Sequence, residues 1–283
     1  MDYLEHMRLR LEGEESYVPA RLGDKDQVRN FGRLVGIRVP ATYYRGTLAG
    51  LPDELPSPFV LKPEFASTSQ GLHILEVVEG GQYRSLVTGE ILDRPTILED
   101  CTKVSLRYFS EDEVSKAVFV AEEALLGHDG ECPPPDIRVF GFQGDIGLII
   151  SEYHFGDKTR SMYFDGNFHP FQDLDDRYGL DARILHLEEM VPADTPANAS
   201  KLLAVARRIS QAVPSAFCRI DLYDTPAGIY LGELSLFPGT FYYRNRKLMS
   251  VKESKRLGAL WDAAFDNLEG TVNHTVTKDE IRL

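Results

Sequence analysis

The sequence predicts an α+β protein, and three observations carry that prediction. Short apolar runs separated by turn residues crowd into residues 59–155. Segments of helical periodicity lie outside that stretch, at residues 24–35, 198–213 and about 251–268. No internal repeat or low-complexity stretch appears, which sets solenoids and disordered scaffolds aside. A chain of 283 residues buries roughly 75% of its unfolded surface, so it needs no disulfide or structural metal to hold a core. One large domain or two to three small lobes fit this length.

Taken in order, the first helix opens at Asp24, placed as its N-cap. Val28, Phe31, Leu34 and Val35 follow at helical spacing, and Gly36 stops it. Gly36-Ile37-Arg38-Val39-Pro40 reads as a turn into an extended segment, and Pro52, Pro56 and Pro58 form a connector, which places a lobe boundary near residue 56. The apolar run Phe59-Val60-Leu61 begins the strand-rich part. Further strands are expected at Leu72–Val78, Tyr83–Val87, Val118–Ala121, Ile137–Phe142 and Ile146–Glu152, the last two joined as a hairpin through Gln143-Gly144-Asp145. The 198–213 helix has Asn198 as its expected cap and Leu202, Leu203, Val205, Ala206, Ile209 and Val213 on one face, with Pro214 just beyond. Phe217–Tyr223 and Gly228–Leu236 then read as paired arms. The last helix carries Leu257, Leu260, Trp261, Ala264 and Phe265 on its apolar side, and the tail after Gly270 is polar and expected to be loose.

Composition narrows the function. With 44 acidic and 31 basic residues the formal charge is −13, which argues against nucleic acid or an anionic membrane as partner, because phosphate backbones draw on a Lys/Arg surplus. Any anionic ligand must be held by a local cluster. Cys101, Cys132 and Cys218 are far apart and read as unpaired thiols of a reducing compartment. No apolar run reaches the roughly 18 residues of a membrane span, and the start Met1-Asp2-Tyr3-Leu4-Glu5-His6 is unlike a signal peptide, so a cytoplasmic location is expected. The phosphate-binding, dinucleotide, nucleophile-elbow and zincin motifs are all missing, and no two of the seven histidines are spaced i, i+4.

Four segments could carry chemistry. In Cys218-Arg219-Ile220-Asp221 and Gly232-Glu233-Leu234-Ser235, alternation sets Arg219 with Asp221 and Glu233 with Ser235. If the arms pair, two carboxylates embedded in apolar strands converge, which is costly unless a cation lies between them, and hard oxygen ligands suit Mg²⁺. The alternative is that Arg219 simply pairs with Asp221 or Glu233 on a solvated sheet face. The strand Phe59–Lys62 ends in a lysine and runs into Ala66-Ser67-Thr68-Ser69-Gln70-Gly71, whose small residues let backbone N–H groups approach phosphate, although such loops are commonly just turns. Val118–Leu125 is an apolar strand that breaks at Glu122 and Glu123, able to offer a purine edge backbone groups and a carboxylate, or else only a solvated strand end. Asp136 and Arg138 share a strand face. Arg138 beside Lys62 would give a triphosphate a second fixed cation, and otherwise it is half of a surface ion pair.

In this order and spacing the segments resemble the ATP-grasp superfamily. The chain looks most like its TupA-like branch, associated with teichuronopeptide biosynthesis, through Asp136-x-Arg138-Val-Phe-Gly-Phe-Gln-Gly, Lys158-Thr159-Arg160, Tyr163-Phe164-Asp165 and Gly232-Glu233-Leu-Ser, over roughly residues 20–245. The resemblance implies two α+β lobes clasping ATP, with a shortened N-terminal lobe at 1–56, a small lobe at 57–127, a large lobe at 128–270 and a polar tail at 271–283. By position, Lys25 and Lys62 would contact ATP phosphates, and residues 66–71 (including Ser67, Thr68, Ser69, Gln70 and Gly71) would close over them. Glu122, Glu123 and Leu125 would lie at the adenine, with Asp136 and Arg138 nearby. Asp221, Glu233 and Ser235 would hold Mg²⁺; many ATP-grasp ligases have Asn where Ser235 stands. Lys62 and Arg219 would be catalytic, the latter on the reacting phosphoryl and carboxylate oxygens, while Arg160, Arg244 and Arg246 are candidates for an acidic substrate.

The activity so implied is an ATP- and Mg²⁺-dependent carboxylate–amine ligase. It would join small-molecule carboxylate and amine substrates, the acid being amino-acid-like or glycan-linked, through an acyl-phosphate. A carboxylate is a poor electrophile, so phosphorylation creates the leaving group, and Mg²⁺ with fixed cations offsets the repulsion of two aligned anions. Two other activities remain open at this point: a kinase passing the γ-phosphoryl to a hydroxyl, and a degenerate nucleotide-binding module.

Overall fold

The computed structural model describes residues 1–15, 18–66, 70–154, 156–242 and 246–273. Along the chain come helices α1 (Tyr3–Glu12) and α2 (Lys25–Leu34), then strands β1 (Thr42–Thr47), β2 (Phe59–Pro63), β3 (His73–Val77), β4 (Tyr83–Ser85) and β5 (Ile91–Leu92). Helix α3 (Arg94–Ser105) leads to β6 (Val118–Glu123), β7 (Asp136–Phe142), β8 (Asp145–Tyr153) and β9 (Thr159–Phe164). After α4 (Leu174–Arg177) follow β10 (Tyr178–Leu180), β11 (Glu188–Met190), α5 (Ala199–Ala212), β12 (Cys218–Thr225), β13 (Gly228–Ser235), β14 (Lys247–Met249) and α6 (Val251–Asn273). The protein is α+β as its sequence predicts, and it divides into two compact units, Met1–Val39 with Pro135–Leu283, and Pro40–Pro134. None of the described helices is long and apolar enough to cross a membrane.

The larger unit is built on a six-stranded sheet of order β11-β9-β8-β7-β12-β13, antiparallel except for β11 beside β9. Strand alternation gives its two faces different characters. Ile137, Val139, Ile149, Ile220 and Leu222 pack with Val28 of α2 and with Leu202, Ala206 and Ile209 of α5. On the opposite face Phe140, Phe142, Leu148 and Ile150 meet Tyr3 and Met7 of α1 and Leu257 and Trp261 of α6. That second face changes along its strands: on β7 the series Phe142, Phe140, Arg138, Asp136 passes from aromatic to charged, and on β8 Leu148 and Ile150 give way to Glu152. The charged end carries the candidate site.

Two local devices fix the strand register. Gln143 and Gly144 both take positive φ (48° and 100°) as a two-residue hairpin loop between β7 and β8, the geometry whose twist matches that of the flanking strands. On β13 the pairing shifts between Glu233, opposite Asp221, and Leu231, opposite Leu222, so Gly232 is the extra residue of a bulge. The bulge lets Leu231 and Leu234, three residues apart, both reach the core while Glu233 keeps the site face. A Cβ on Gly232 would come within 2.6 Å of the Tyr223 ring, so the bulge also needs glycine for space.

The smaller unit is a six-stranded antiparallel sheet, β1-β6-β2-β3-β4-β5. Phe59, Leu61, Phe119 and Ala121 bury one face against Ile97 and Cys101 of α3. Alternation sets Lys62 and Glu122 on the other.

Several expectations need correction. Asp24 and Asn198 occupy N-cap positions, but neither side chain bonds its helix; Asn198 instead donates to Asp224 at 3.1 and 3.2 Å. Leu34 is exposed rather than part of the apolar face. Residues 94–105 are a helix inside a stretch read as strands, started by Asp93, whose carboxylate accepts from the Thr96 N–H at 2.9 Å. Helix α1 has a capping box at Asp2 and Glu5 and was not anticipated. The last helix runs on to Asn273, past the expected start of the tail, and residues 274–283 lie outside the described residues.

Candidate active site

Pairing of β12 with β13 and β7 builds the site from three strands. Asp221 lies directly opposite Glu233 on one side and Arg138 on the other, and Arg219 lies opposite Ser235. Arg219 and Asp221 are two residues apart, so both point to the charged face, and there the guanidinium grips the carboxylate with two bonds of 2.7 and 2.5 Å. Glu233 is 3.8 Å from the same guanidinium with its side chain 59% exposed, whereas Asp221 is buried. The pairing left open by the sequence is therefore present, but it is a buried pair and not one on a solvated face. Burial pushes the Asp221 carboxyl up to about 7 against the pull of Arg219, and the neighbouring Asp136 and Glu233 carboxylates add to the rise. Asp221, Glu233 and the half-buried Ser235 offer only hard oxygen ligands, and this donor set fits a divalent ion such as Mg²⁺.

A second charged group adjoins the first on the same face. Arg138 donates to Asp136 at 2.9 Å and pairs with Glu152 at 2.5 Å. Glu152 also meets Lys247 of β14 at 3.1 Å, and Lys247 pairs with Glu188 and donates to Ser161, which donates to Glu188 at 2.7 Å. Burial would raise Asp136, but the His154 imidazole beside it and the Arg138 and Arg219 guanidiniums hold its carboxyl below the usual range. Burial likewise lowers the Lys247 ammonium, opposed by Glu152. Asp136, Glu152 and His154 bring possible ligand atoms within 4.8 Å of one another. Arg138 already bonds both carboxylates, so this trio does not call for a metal. The sequence reading reached Asp136 and Arg138 but not Glu152, His154, Ser161, Glu188 or Lys247. Glu152 had a signal, an acid alternating with Leu148 and Ile150 on an apolar strand; Lys247 and Glu188 sit on three-residue strands too short to show one.

In the smaller unit Lys62 ion-pairs with Glu122, which is buried, while Glu123 accepts from the Ala41 N–H at 3.1 Å and Leu125 is buried. Gly71 takes φ 69°, and Gln70 accepts from the Tyr108 hydroxyl at 3.3 Å. In the larger unit Lys25 is the first residue of α2 and Arg160 is exposed, stacked 4.6 Å over the Tyr153 ring. Arg246 stands beside Lys247. Ser67, Thr68, Ser69 and Arg244 lie outside the described residues.

A protein-family model for the TupA-like ATP-grasp domain matches residues 52–260. Among solved structures, D-alanine–D-alanine ligase from Bacillus anthracis complexed with ATP is 14% identical with a TM-score of 0.49, over 89% of this chain and 69% of its own. VanG D-Ala:D-Ser ligase from Enterococcus faecalis is 15% identical with a TM-score of 0.47, over 87% and 61%. An L-amino acid ligase from Bacillus licheniformis is 16% identical with a TM-score of 0.43, over 81% and 47%. The chain thus spans less than two thirds of the last two. No curated protein matches it in sequence.

Proposed function

The chain belongs to the TupA-like ATP-grasp family, and from that premise we propose that it is an ATP- and Mg²⁺-dependent carboxylate–amine ligase that forms an amide through an acyl-phosphate. The observation that carries this reading is the placement of Asp221 opposite Glu233 with Arg219 bonded to Asp221, at the charged end of a sheet face whose other end is apolar. Asp221, Glu233 and Ser235 would hold Mg²⁺, which when bound offsets phosphate charge. Arg219 would orient the reacting phosphoryl and carboxylate oxygens, a task for which its planar fork suits it. Lys62 and Lys25 would contact ATP phosphates, and Glu122, Glu123 and Leu125 would contact the adenine. Asp136 and Arg138 would lie near the adenine, held in place by the Glu152 and Lys247 network.

Incubation with ATP, Mg²⁺ and pools of candidate acids and amines tests the proposal. ADP and free phosphate should appear only when both an acid and an amine are present. AMP formation, phosphate retained on a single hydroxyl-bearing product, or no turnover across a broad pool would each remove the ligase.

A further inference from the structure

Arg10 of α1 is buried where the ladder between β12 and β13 stops. A guanidinium carries five N–H donors, and here all of them are engaged. Nε and Nη2 donate to the two carboxylate oxygens of Glu15 at 2.7 and 2.6 Å, and Nη2 also donates to the Ser215 hydroxyl at 3.0 Å. Nη1 divides its two hydrogens between the backbone carbonyls of Phe217, at 3.0 Å, and Leu236, at 2.9 Å. The Trp261 ring lies under the ion, its centroid 4.4 Å from Cζ.

The two carbonyls belong to different arms. Arg219 opposite Ser235 is the last registered pair of the ladder, and Phe217 and Leu236 lie just beyond it, two residues before Arg219 and one after Ser235. Two carbonyl oxygens turned toward one point repel and cannot make a rung, so a donor has to stand between them. Nη1 is that donor, and it joins the arms where the sheet's own bonding ends. A buried ion pair is by itself weak evidence of stability. What this one supplies is geometry, because a rigid planar fork fixes the separation of two backbones more narrowly than apolar packing does.

We propose that Arg10 is a positioning residue for the reaction. By holding Phe217 and Leu236 at one separation it sets the distance between Arg219 on β12 and Ser235 on β13, and with it the spacing of the Asp221, Glu233 and Ser235 oxygens that would hold Mg²⁺. Arg10 acts only through the two backbones it joins. Its part in turnover rests on the ligase reading; its hold on the arms does not.

Arg10→Lys keeps the charge, but its single nitrogen cannot meet two carbonyls, Ser215 and both oxygens of Glu15 at once. Glu15→Gln is milder: Arg10 stays, and one of its two anchoring oxygens becomes a donor. In the full-length protein Arg10→Lys should lower kcat for ADP formation about tenfold or more and raise the half-saturating Mg²⁺ concentration about threefold, with KM for ATP within about twofold of the parent. Glu15→Gln should move both in the same direction by less. Arg10→Ala should regain rate in millimolar guanidinium chloride but not in sodium chloride, because the free ion can refill the site, whereas a variant that was merely unstable would lose more in a denaturant. Hydrogen exchange reads the clamp without turnover: amides of residues 218–220 and 234–236 should exchange about tenfold or more faster in Arg10→Lys, and those of residues 147–151 at the parental rate. Parental kcat and Mg²⁺ dependence in Arg10→Lys, unchanged exchange at the arm ends, or no guanidinium rescue overturns the inference; Glu15→Gln carries the kinetic and exchange tests if the Arg10 variants do not fold. A parent that forms no ADP with any acid and amine removes the ligase reading instead, and exchange then decides alone whether Arg10 holds the arms.

Discussion

Asp221 and Glu233 face each other across β12 and β13, yet one is buried and bound by Arg219 while the other stands largely in solvent. The two therefore differ in what their removal does. Glu233→Gln should leave unfolding free energy within about 0.5 kcal/mol of the parent, as surface changes usually do, but lower Mg²⁺-dependent ADP formation at least about 10²-fold. Asp221→Asn should lower turnover as much and stability as well, because it takes the charge from a partner of buried Arg219. Denaturant titration beside an ADP assay separates the two effects; parental turnover in both variants would reduce the pair to a structural contact.

Lys62→Met should weaken binding of a non-hydrolysable ATP analogue by about tenfold or more, since a compact fixed cation on the phosphates is lost. It also removes the Lys62 ion pair from the buried Glu122 carboxylate, so the melting temperature should fall. Calorimetry reports the first effect, and a parental affinity would take Lys62 out of the nucleotide site.

Lys247 holds Glu152 and Glu188 together from β14. Lys247→Met leaves Glu152 with Arg138 and Glu188 with Ser161 but removes the cation between them, and should cost about 1–3 kcal/mol in urea unfolding. Adding Glu152→Gln should then cost less than the same change made alone, a non-additivity of at least about 0.5 kcal/mol. Strict additivity would mean that the network is not one unit.

His6 lies buried, stacked on Trp261 with ring centroids 5.0 Å apart and bonded to Asp262 at 2.9 Å. Burial lowers its pKa below 6.5 in spite of the Asp262 and Glu15 charges, and the terminal amine adds to the lowering. Just below the unfolded value of 6.5 the unfolded chain binds the proton more readily, so stability falls as pH drops from about 7 toward 5. Half-buried His73 shifts the same way and contributes to the slope. Unfolding titrations across that window should show a shallower fall in His6→Gln; an unchanged slope would assign it elsewhere.

Legibility followed sequence distance. The β7–β8 hairpin and the apolar face of α5 were plain because their signals are local: a Gln-Gly turn, and leucine and isoleucine at helical spacing. Arg219, Asp221 and Glu233 were visible as charges interrupting apolar strands. The Gly232 bulge was not, because alternation assumes a period of two and a bulge breaks it. Nor was the network around Arg138, since Glu152 reaches it only through sheet pairing and Lys247 reaches Glu152 from a strand of three residues. Asn198 stands at the N-cap position but its amide bonds Asp224, a residue of another element that local spacing does not reveal.

The Arg10 guanidinium donates to the backbone carbonyls of Phe217 at 3.0 Å and Leu236 at 2.9 Å, pairs with Glu15 and stacks 4.4 Å from the Trp261 ring. Every one of those partners except Glu15 is more than 200 positions downstream, with the compact unit Pro40–Pro134 in the interval. Tyr3 and Met7 gain their cover from Phe217, Leu257 and Trp261, so the start of the described chain is sealed by its far end.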